Sequence, residues 1–416
     1  MASERCPDVG RAGDGVRSPV IAHVDMDAFY VEAELLGRPE LRGRKLIVAA
    51  AGRSVVLSAS YEARADGVRS AMPLSRAQQI SPQSLVLEPH MGLYRELSAG
   101  IMAYFDTITA AKEQLSVDEA FLDLTGAQRL MGSPQRMGER LRTDIRAQFG
   151  LPASVGIADR KFIAKIASQR AKPDGLLLVP PAARLRFLHS LPVNALWGVG
   201  AKTAAALEQI GLRTVEQVAQ TPREALKQRF GATGEHLHDL AWGHDSRPVI
   251  PHREEKSIGA EETFEADLSE DADLHAELLD MAHRVAARLR AAEASAQGVA
   301  LKLRYKDFTT LTRSSTLHHP TQSAPVLYDQ ARRLLAGLGE RPQPVRLVGL
   351  RAERLSRDAA ELQLALALDA DAEHSAEQAG AWVQAEQALD AVAHRFPKAR
   401  VQPASVMRRH ARGQPG

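Results

Sequence analysis

Several features that would narrow this chain's role are missing from it. It carries a single cysteine, Cys6, so no internal disulfide can form, and that usage fits a reducing compartment. No apolar run approaches the ~18 residues that cross a bilayer. The leader MASERCPDVGRAGDGVRSP has no apolar stretch of the kind a signal peptide needs. Residues 1–19 are therefore expected to be a disordered leader, and the protein to be soluble and cytoplasmic, with no membrane partner. Charge of one sign is also lacking: 53 Lys and Arg stand against 51 Asp and Glu, a formal net charge of +2. Bulk electrostatics thus announces no nucleic-acid partner, and such a role must rest on local patches. There is no long internal repeat.

What is present is ordinary in amount and informative in order. With 416 residues, 44% hydrophobic and 25% charged, the chain reads as a soluble globular protein of several domains. Val20 to Val24 predict a buried strand, and "KLIVAA", "SVVLSAS" and "PASVGIA" three more. Helices are expected from Ser70 to Ile80, from Met91 to Phe105, and over "KFIAKIASQRA", which "KPDG" stops. Met137, Leu141, Ile145 and Phe149 recur every fourth residue, one apolar helical stripe. Residues 20–180 are therefore an α+β unit. From Leu191 to Gly243 the text turns short and helical. Thr214 with Gln217 and Thr221 with Glu224 both fit capping boxes, with Pro222 at a first helical position. "SRPVIPHREEKSIG" reads as an interdomain tether. Beyond it helix and strand alternate over residues 258–356, "GVALKLRYKDFTTLTRSSTL" and "VRLVGLRAERL" being the clearest strands. The last ~50 residues are Ala-rich and acidic.

The chemistry lies in carboxylates set where apolar burial alone would not place them. In "HVDMDAFY", Asp25 and Asp27 share one face of a strand end because side chains alternate. In "QLSVDEAFLDL", Asp118 and Glu119 stand side by side in an apolar run. Carboxylates removed from water cost several kcal/mol unless compensated. One acid on one strand and a pair on another can surround two divalent cations, the arrangement used in phosphoryl transfer. The alternative is a surface turn with solvated acids. Asp27 fits either reading, and Asp123 is expected to be structural or solvent-facing rather than catalytic.

Two further stretches suit nucleic acid. "LWGVGAKTAAALEQIG" has the pattern of a helix-hairpin-helix, in which Gly198 and Gly200 leave amides exposed ahead of a helix bearing Lys202. In "VALKLRYKDF", Lys302, Arg304 and Lys306 alternate with Leu301, Leu303 and Tyr305, and Arg313 follows in the next strand. These four cations can track a phosphate backbone, or simply form a solvated face.

"HVDMDAFY", "SYEARADGVRSAMP", "LSVDEAFLDL", "SVGIADRKFIAKIASQRAKPDG" and "LWGVGAKTAAALEQIGLRTVEQVA", in this order, resemble the Y-family DNA polymerases, closest to the bacterial DNA polymerase IV (DinB) type. The resemblance covers about residues 20–356. It implies a multidomain α+β right-hand polymerase. The palm would be 20–30 and 88–180, the fingers 31–87 and the helical thumb 181–248. A linker would span 249–256, the α/β little finger 257–356 and a C-terminal tail 357–416. The resemblance further implies that Asp25, Asp118 and Glu119, with the Met26 carbonyl, bind two Mg²⁺ ions at the catalytic centre. Tyr30 would be the steric gate under the sugar, beside Phe29, and Ser58, Tyr61, Arg64 and Lys172 would meet the triphosphate. Here Ser58 and Ser60 stand where the family often has Thr and Asn, and Asp66 replaces a residue that is commonly aromatic or basic.

Gln363, Leu364 and Leu366, in "LQLALAL", are similar to the short peptides by which such enzymes attach to a sliding clamp; a plain amphipathic strand is the other reading. The expected partners are primed template DNA, dNTPs and that clamp, and the expected state is a monomer. The expected activity is template-directed, low-fidelity DNA synthesis past lesions, since no segment is left for a proofreading domain. Two alternatives are a non-catalytic DNA-binding adaptor, which would lack the acids, and a nucleotide cyclase, which would have no use for a hairpin and a basic strand.

Overall fold

The computed structural model describes residues 18–252, 254–357, 385–392 and 395–396. Cys6 and the candidate clamp residues Gln363, Leu364 and Leu366 lie outside the described residues. The chain divides into two compact units, Met1–Arg253 and Glu254–Gly416.

In the first unit the opening apolar run forms β1 (Ile21–Met26), buried throughout. It leads into α1 (Phe29–Leu36). A small layer follows: β2 (Leu46–Val48), β3 (Ser58–Ala59), α2 (Tyr61–Ala65), α3 (Leu74–Ile80) and β4 (Leu85–Leu87). Its sheet has the order β3-β2-β4 and closes over Ile47, Val56, Ala63 and Leu74. The chain then forms α4 (Met91–Ile108), β5 (Lys112–Gln114), β6 (Glu119–Asp123), α5 (Gln128–Met131), α6 (Pro134–Phe149), β7 (Ala153–Ala158), α7 (Lys161–Ala171) and β8 (Leu176–Leu178). The strands assemble as β5-β6-β1-β7-β8, with β1 at the centre.

Period-two alternation gives this sheet two different faces. Ala22, Val24 and Met26 point to the core formed with α4 and α6, where Met137, Leu141 and Ile145 are fully buried as their spacing predicts. Ile21 and Phe121 point to the other core, shared by α7 and the helices α8 (Arg184–His189), α9 (Ala201–Glu208), α10 (Val215–Gln220), α11 (Arg223–Phe230) and α12 (Ala232–Ala241).

Three local expectations need correction. "SVVLSAS" yields only Ser58–Ala59 as strand, because Val55 and Val56 pair with Pro73 and Met72, and proline has no N–H to extend a ladder. The same Pro73 delays the helix expected from Ser70 to Leu74, since residues before proline avoid helical geometry. Thr214 and Gln217 form their capping box, but Thr221 does not cap α11. Its hydroxyl instead donates to the Gln217 carbonyl at 2.8 Å, closing the preceding helix.

The second unit is an antiparallel sheet of order β11-β10-β12-β9, built from β9 (Ser257–Leu268), β10 (Ser295–Tyr305), β11 (Thr310–Thr321) and β12 (Val345–Ser356). One face is covered by α13 (Asp271–Ala291) and α14 (Ala324–Ala336) over Leu278, Met281, Leu301 and Leu327. The expected tail contributes a further helix to the second unit. A helix at residues 385–392, α15, brings Glu386 and Asp390 to the buried Arg290 at 3.0 and 2.6 Å. Glu386 also accepts from the Ala324 N–H at 3.2 Å, at the start of α14. No helix among the described residues is long and apolar enough to cross a membrane.

Candidate active site

Strand register decides which side chains meet. Asp25 on β1 pairs with Glu119 on β6 and with Ser154 on β7, and His23 pairs with Phe121 and Gly156. Directly paired residues project from the same face, so His23, Asp25 and Glu119 form one row on the side covered by α7. Their ligand atoms lie within 4.8 Å of one another. The turn before β6 is held by Ser116, whose Oγ accepts from the Glu119 N–H at 3.1 Å and donates to Asp118 Oδ1 at 2.5 Å. Asp118 is thus near the row and outside its tightest cluster. Met26 N–H donates to the Asp118 carbonyl at 3.0 Å, tying the two acidic segments together.

α7 supplies the counter-charges. Lys172 Nζ is 2.5 Å from Asp25 Oδ1, Gln169 Nε2 donates to Asp25 Oδ2 at 2.9 Å, and Lys165 Nζ is 2.5 Å from Glu119 Oε2. Lys165, Gln169 and the structural His23–Ser168 contact at 2.7 Å were not foreseen from sequence. A signal existed: Lys165, Ser168, Gln169 and Lys172 fall on one stripe at 100° per residue. Polar groups so aligned on a helix with a buried apolar side point at one target.

The acids respond differently to this setting. Asp25 is pushed up from 3.8 to about 6, mainly by burial; Lys172 pulls it back, and Asp118 and Glu119 add repulsion. For Glu119 burial is the largest single influence and raises it, but hydrogen bonds from His23 and Lys165, with the Lys165 charge, outweigh it and hold it at about 2. His23 is lowered to about 4 chiefly by burial, so it is neutral at physiological pH and the compensation of Glu119 falls to Lys165. Asp27 turns out to be structural: it is buried and accepts from Ser154 Oγ at 3.0 Å, the Asp174 N–H at 2.6 Å and Tyr61 at 3.2 Å. Asp123 is structural too, accepting from the Thr125 N–H at 2.9 Å.

The carboxylate oxygens of the row suit a hard divalent cation, and paired lysines now balance charge that such a cation would balance. A cation requires the ionised acid, which sets the pH dependence. Because Asp25 keeps its proton up to about pH 6, the divalent concentration giving half-maximal activity is expected to rise below that pH. The rise is about tenfold per unit, from simple proton competition. In chelator the sign reverses. A raised carboxylate contributes stability that is full below 3.8 and lost as pH rises through about 6, so thermal melts should record that loss and Asp25→Asn should flatten it.

The other expected nucleotide contacts gather at the same edge. Tyr30 is half-buried, its ring 4.6 Å from that of Tyr94, and its hydroxyl is raised by burial and then by the Asp118 charge. The Phe29 ring is buried in the core beside Tyr30. Arg64 lies over the Tyr61 ring at 5.0 Å and donates to the Ala59 carbonyl at 2.8 Å. Ser58 is buried beside them, and Ser60 caps α2 while accepting from the Leu46 N–H at 3.0 Å. Asp66 now has an account: it ends α2 and binds Lys45 at 2.7 Å and Ser81 at 2.5 Å, a brace within the small layer.

Comparison with known proteins places this arrangement. Residues 24–169 match the impB/mucB/samB family, residues 255–366 its C-terminal domain, and residues 194–245 the DNA polymerase-iota thumb domain. The DNA polymerase IV of Desulfatibacillum aliphaticivorans is 40% identical over 389 residues, 93% of this chain and 97% of that one. The chain belongs to the DNA polymerase IV family. The DNA polymerase IV of Halorhodospira halophila is 41% identical over 350 residues, 84% of this chain and 98% of its own. Among solved structures, a Y-family DNA polymerase chimera has a TM-score of 0.74 at 24% identity, covering 81% of this chain and 99% of its own. An insertion ternary complex of Dbh DNA polymerase has a TM-score of 0.59 at 24% identity, covering 80% and 98%. The right-hand fold expected from sequence is the fold found. This polymerase IV is a DNA-directed DNA polymerase of the low-fidelity translesion class and depends on a divalent metal.

The polymerase's expected DNA contacts divide on inspection. Gly198 has φ +93° with open space where a Cβ would stand, a conformation that favours glycine, and α9 begins after Gly200 without a side-chain cap. Lys302 and Arg304 share the sheet face opposite α13 and α14, with Ala300, Gly349 and Gly259 as its floor. Lys302 is paired with Glu261 at 2.7 Å. Lys306 is not third in that row, because β10 ends at Tyr305 after a register shift. Arg313 pairs in register with the buried Leu301, so it lies on the other side of the sheet. Alternation along one strand does not fix the face of a neighbour. Register does.

Proposed function

We propose that this polymerase adds dNTPs to the 3′-OH of a primer on template DNA, with two Mg²⁺ ions held by Asp25, Asp118, Glu119 and the Met26 carbonyl. The observation that carries this reading is the registered row of Asp25 and Glu119, lined by Lys165 of α7 and by Lys172 just past its end. Bound there, the ions would stabilise charge on the attacking and leaving oxygens.

The chain's own residues do the positioning. Lys172 and Arg64 are placed to meet phosphate oxygens, Arg64 through its planar fork. Tyr61, fixed to Asp27, orders that side of the pocket. Tyr30 closes the floor under the sugar, its ring braced by Tyr94. In this reading residues 20–30 and 88–180 are the palm, 31–87 the fingers, 181–248 the thumb, 249–256 the linker and 257–356 the little finger. The amides after Gly198 and Gly200, with Lys202, take duplex phosphates, and Lys302 with Arg304 extends the grip. Attachment to a sliding clamp through Gln363, Leu364 and Leu366, and a monomeric state, belong to the same proposal. The adaptor alternative has no use for a buried Asp25 that costs stability at neutral pH.

Substitution of Tyr30 tests where the nucleotide sits. Tyr30→Ala is expected to keep dNTP incorporation while raising the use of rNTPs relative to dNTPs by about 10- to 200-fold, the range for one removed steric contact. Competing primer extension with dNTP and rNTP measures it. An unchanged ratio would mean that the sugar does not lie against Tyr30.

A further inference from the structure

A buried ion pair that serves no part of the catalytic row holds the chain where it leaves the first unit. Lys161, at the start of α7, and Glu113, on β5, are 4% and 11% exposed and in direct contact. Each also reaches the segment after α12. Lys161 Nζ donates to the Pro248 carbonyl at 3.1 Å, and Glu113 Oε2 accepts from the Ile250 N–H at 2.8 Å. Val249 between them is buried among Phe121 and Phe162. Arg247 stacks on Trp197 at 4.4 Å. A buried pair is weak evidence of stability by itself, since apolar residues of similar size serve as well. What apolar residues cannot do is hold two main-chain groups of a passing segment.

We propose that Glu113 and Lys161 are positioning residues that pin residues 248–250 to the five-stranded sheet, and so set the length of free tether to the second unit. With the pin, only residues 251–256, six in number, lie between Ile250 and the start of β9. Without it, the nearest upstream hold among the described residues is Arg247 on Trp197, and nine residues, 248–256, separate it from β9. The maximum reach grows by half, from about 20 to about 30 Å. Two binding units joined by a tether hold a common ligand with an effective concentration that falls roughly as the −3/2 power of tether length. Lengthening the tether by half therefore weakens the joint grip on primed DNA about twofold, with nothing changed at the acids. This consequence rests on the reading that the second unit's sheet contacts DNA. The pin itself does not.

The test uses the full chain and a Glu113→Leu, Lys161→Met variant, an apolar replacement that preserves the fold while removing both main-chain contacts. Glu113→Gln, which keeps an acceptor for the Ile250 amide, is the second variant. Three readouts are taken: hydrogen exchange of the Ile250 amide, affinity for a primed duplex, and the single-turnover incorporation rate at saturating DNA. In the double variant the amide should exchange at least about tenfold faster, and affinity should fall about twofold at an unchanged incorporation rate. Glu113→Gln should lie between it and wild type.

An amide still protected in the double variant would show that the pair is not the pin. An amide released with affinity unchanged would show that the pin does not set the grip. Lys302→Ala, Arg304→Ala reports separately on the sheet face. If that variant binds DNA as wild type does, the sheet reading fails, and the pin is judged on amide exchange.

Discussion

An Asp118→Ala, Glu119→Ala enzyme is expected to extend no primer, a loss of at least about 10³-fold, while binding primed DNA within a few-fold of wild type. Removal of a single group that stabilises developing charge commonly costs about 10²- to 10³-fold, and here two go together. The fold should tolerate the change. Asp118 sits in a turn whose geometry is fixed by Ser116 through main-chain contacts that alanine retains. Glu119 leaves Lys165 without its carboxylate, but that lysine is 22% exposed and water can replace the partner. Extension of a labelled primer and a thermal melt of each protein decide the matter. Loss of activity with a retained melt places the reaction at these acids. Retained extension places it elsewhere.

Gly156→Ala is expected to be among the most destabilising single-methyl changes in the first unit. A Cβ there would stand 2.1 Å from the Ala164 carbonyl oxygen and 2.2 Å from the Ser168 nitrogen, both main-chain atoms that cannot rotate away. Gly156 is the β7 partner of His23, so α7 lies against the sheet at the acid row. Overpacking costs typically about 1–3 kcal/mol and occasionally more; with a helix backbone as the obstacle, about 3 kcal/mol or more is expected. For a unit of this size that lowers the melting temperature by roughly 6–12 °C. Activity should fall further than stability, even where the protein remains folded. Lifting α7 carries Lys165, Gln169 and Lys172 away from Glu119 and Asp25 together. Calorimetry with primer extension measured well below the melt separates the two effects. A melt within 2 °C of wild type would mean that α7 does not depend on this close approach.

These two cases mark how far sequence carries. The acids were legible because charge inside an apolar run is costly and calls for a compensating partner. The helical stripe of Met137, Leu141 and Ile145 was legible because spacing alone defines a face. His23 and Lys165 were not picked out, since their role depends on β1–β6 register and on α7 crossing at Gly156, which are tertiary facts. Arg313 was grouped with Lys302 and Arg304 for the same reason: sequence gives the alternation within one strand, whereas pairing with Leu301 puts it on the other face. Pro73 misled twice, shortening a strand and delaying a helix through one missing N–H and one excluded conformation. The pin at Glu113 and Lys161 joins residues 48 positions apart and a third segment 87 beyond the lysine, a meeting that no local pattern announces.

The most direct test of the central claim is an anomalous-scattering crystal structure of the polymerase with primed DNA, a dNTP and Mn²⁺ in place of Mg²⁺. Two anomalous peaks are expected against the carboxylates of Asp25, Asp118 and Glu119, one of them touching the Met26 carbonyl, with Lys172 turned from Asp25 toward the triphosphate. Peaks elsewhere, or a nucleotide seated with no metal on Asp25 and Glu119, would contradict the assignment of this row as the catalytic centre.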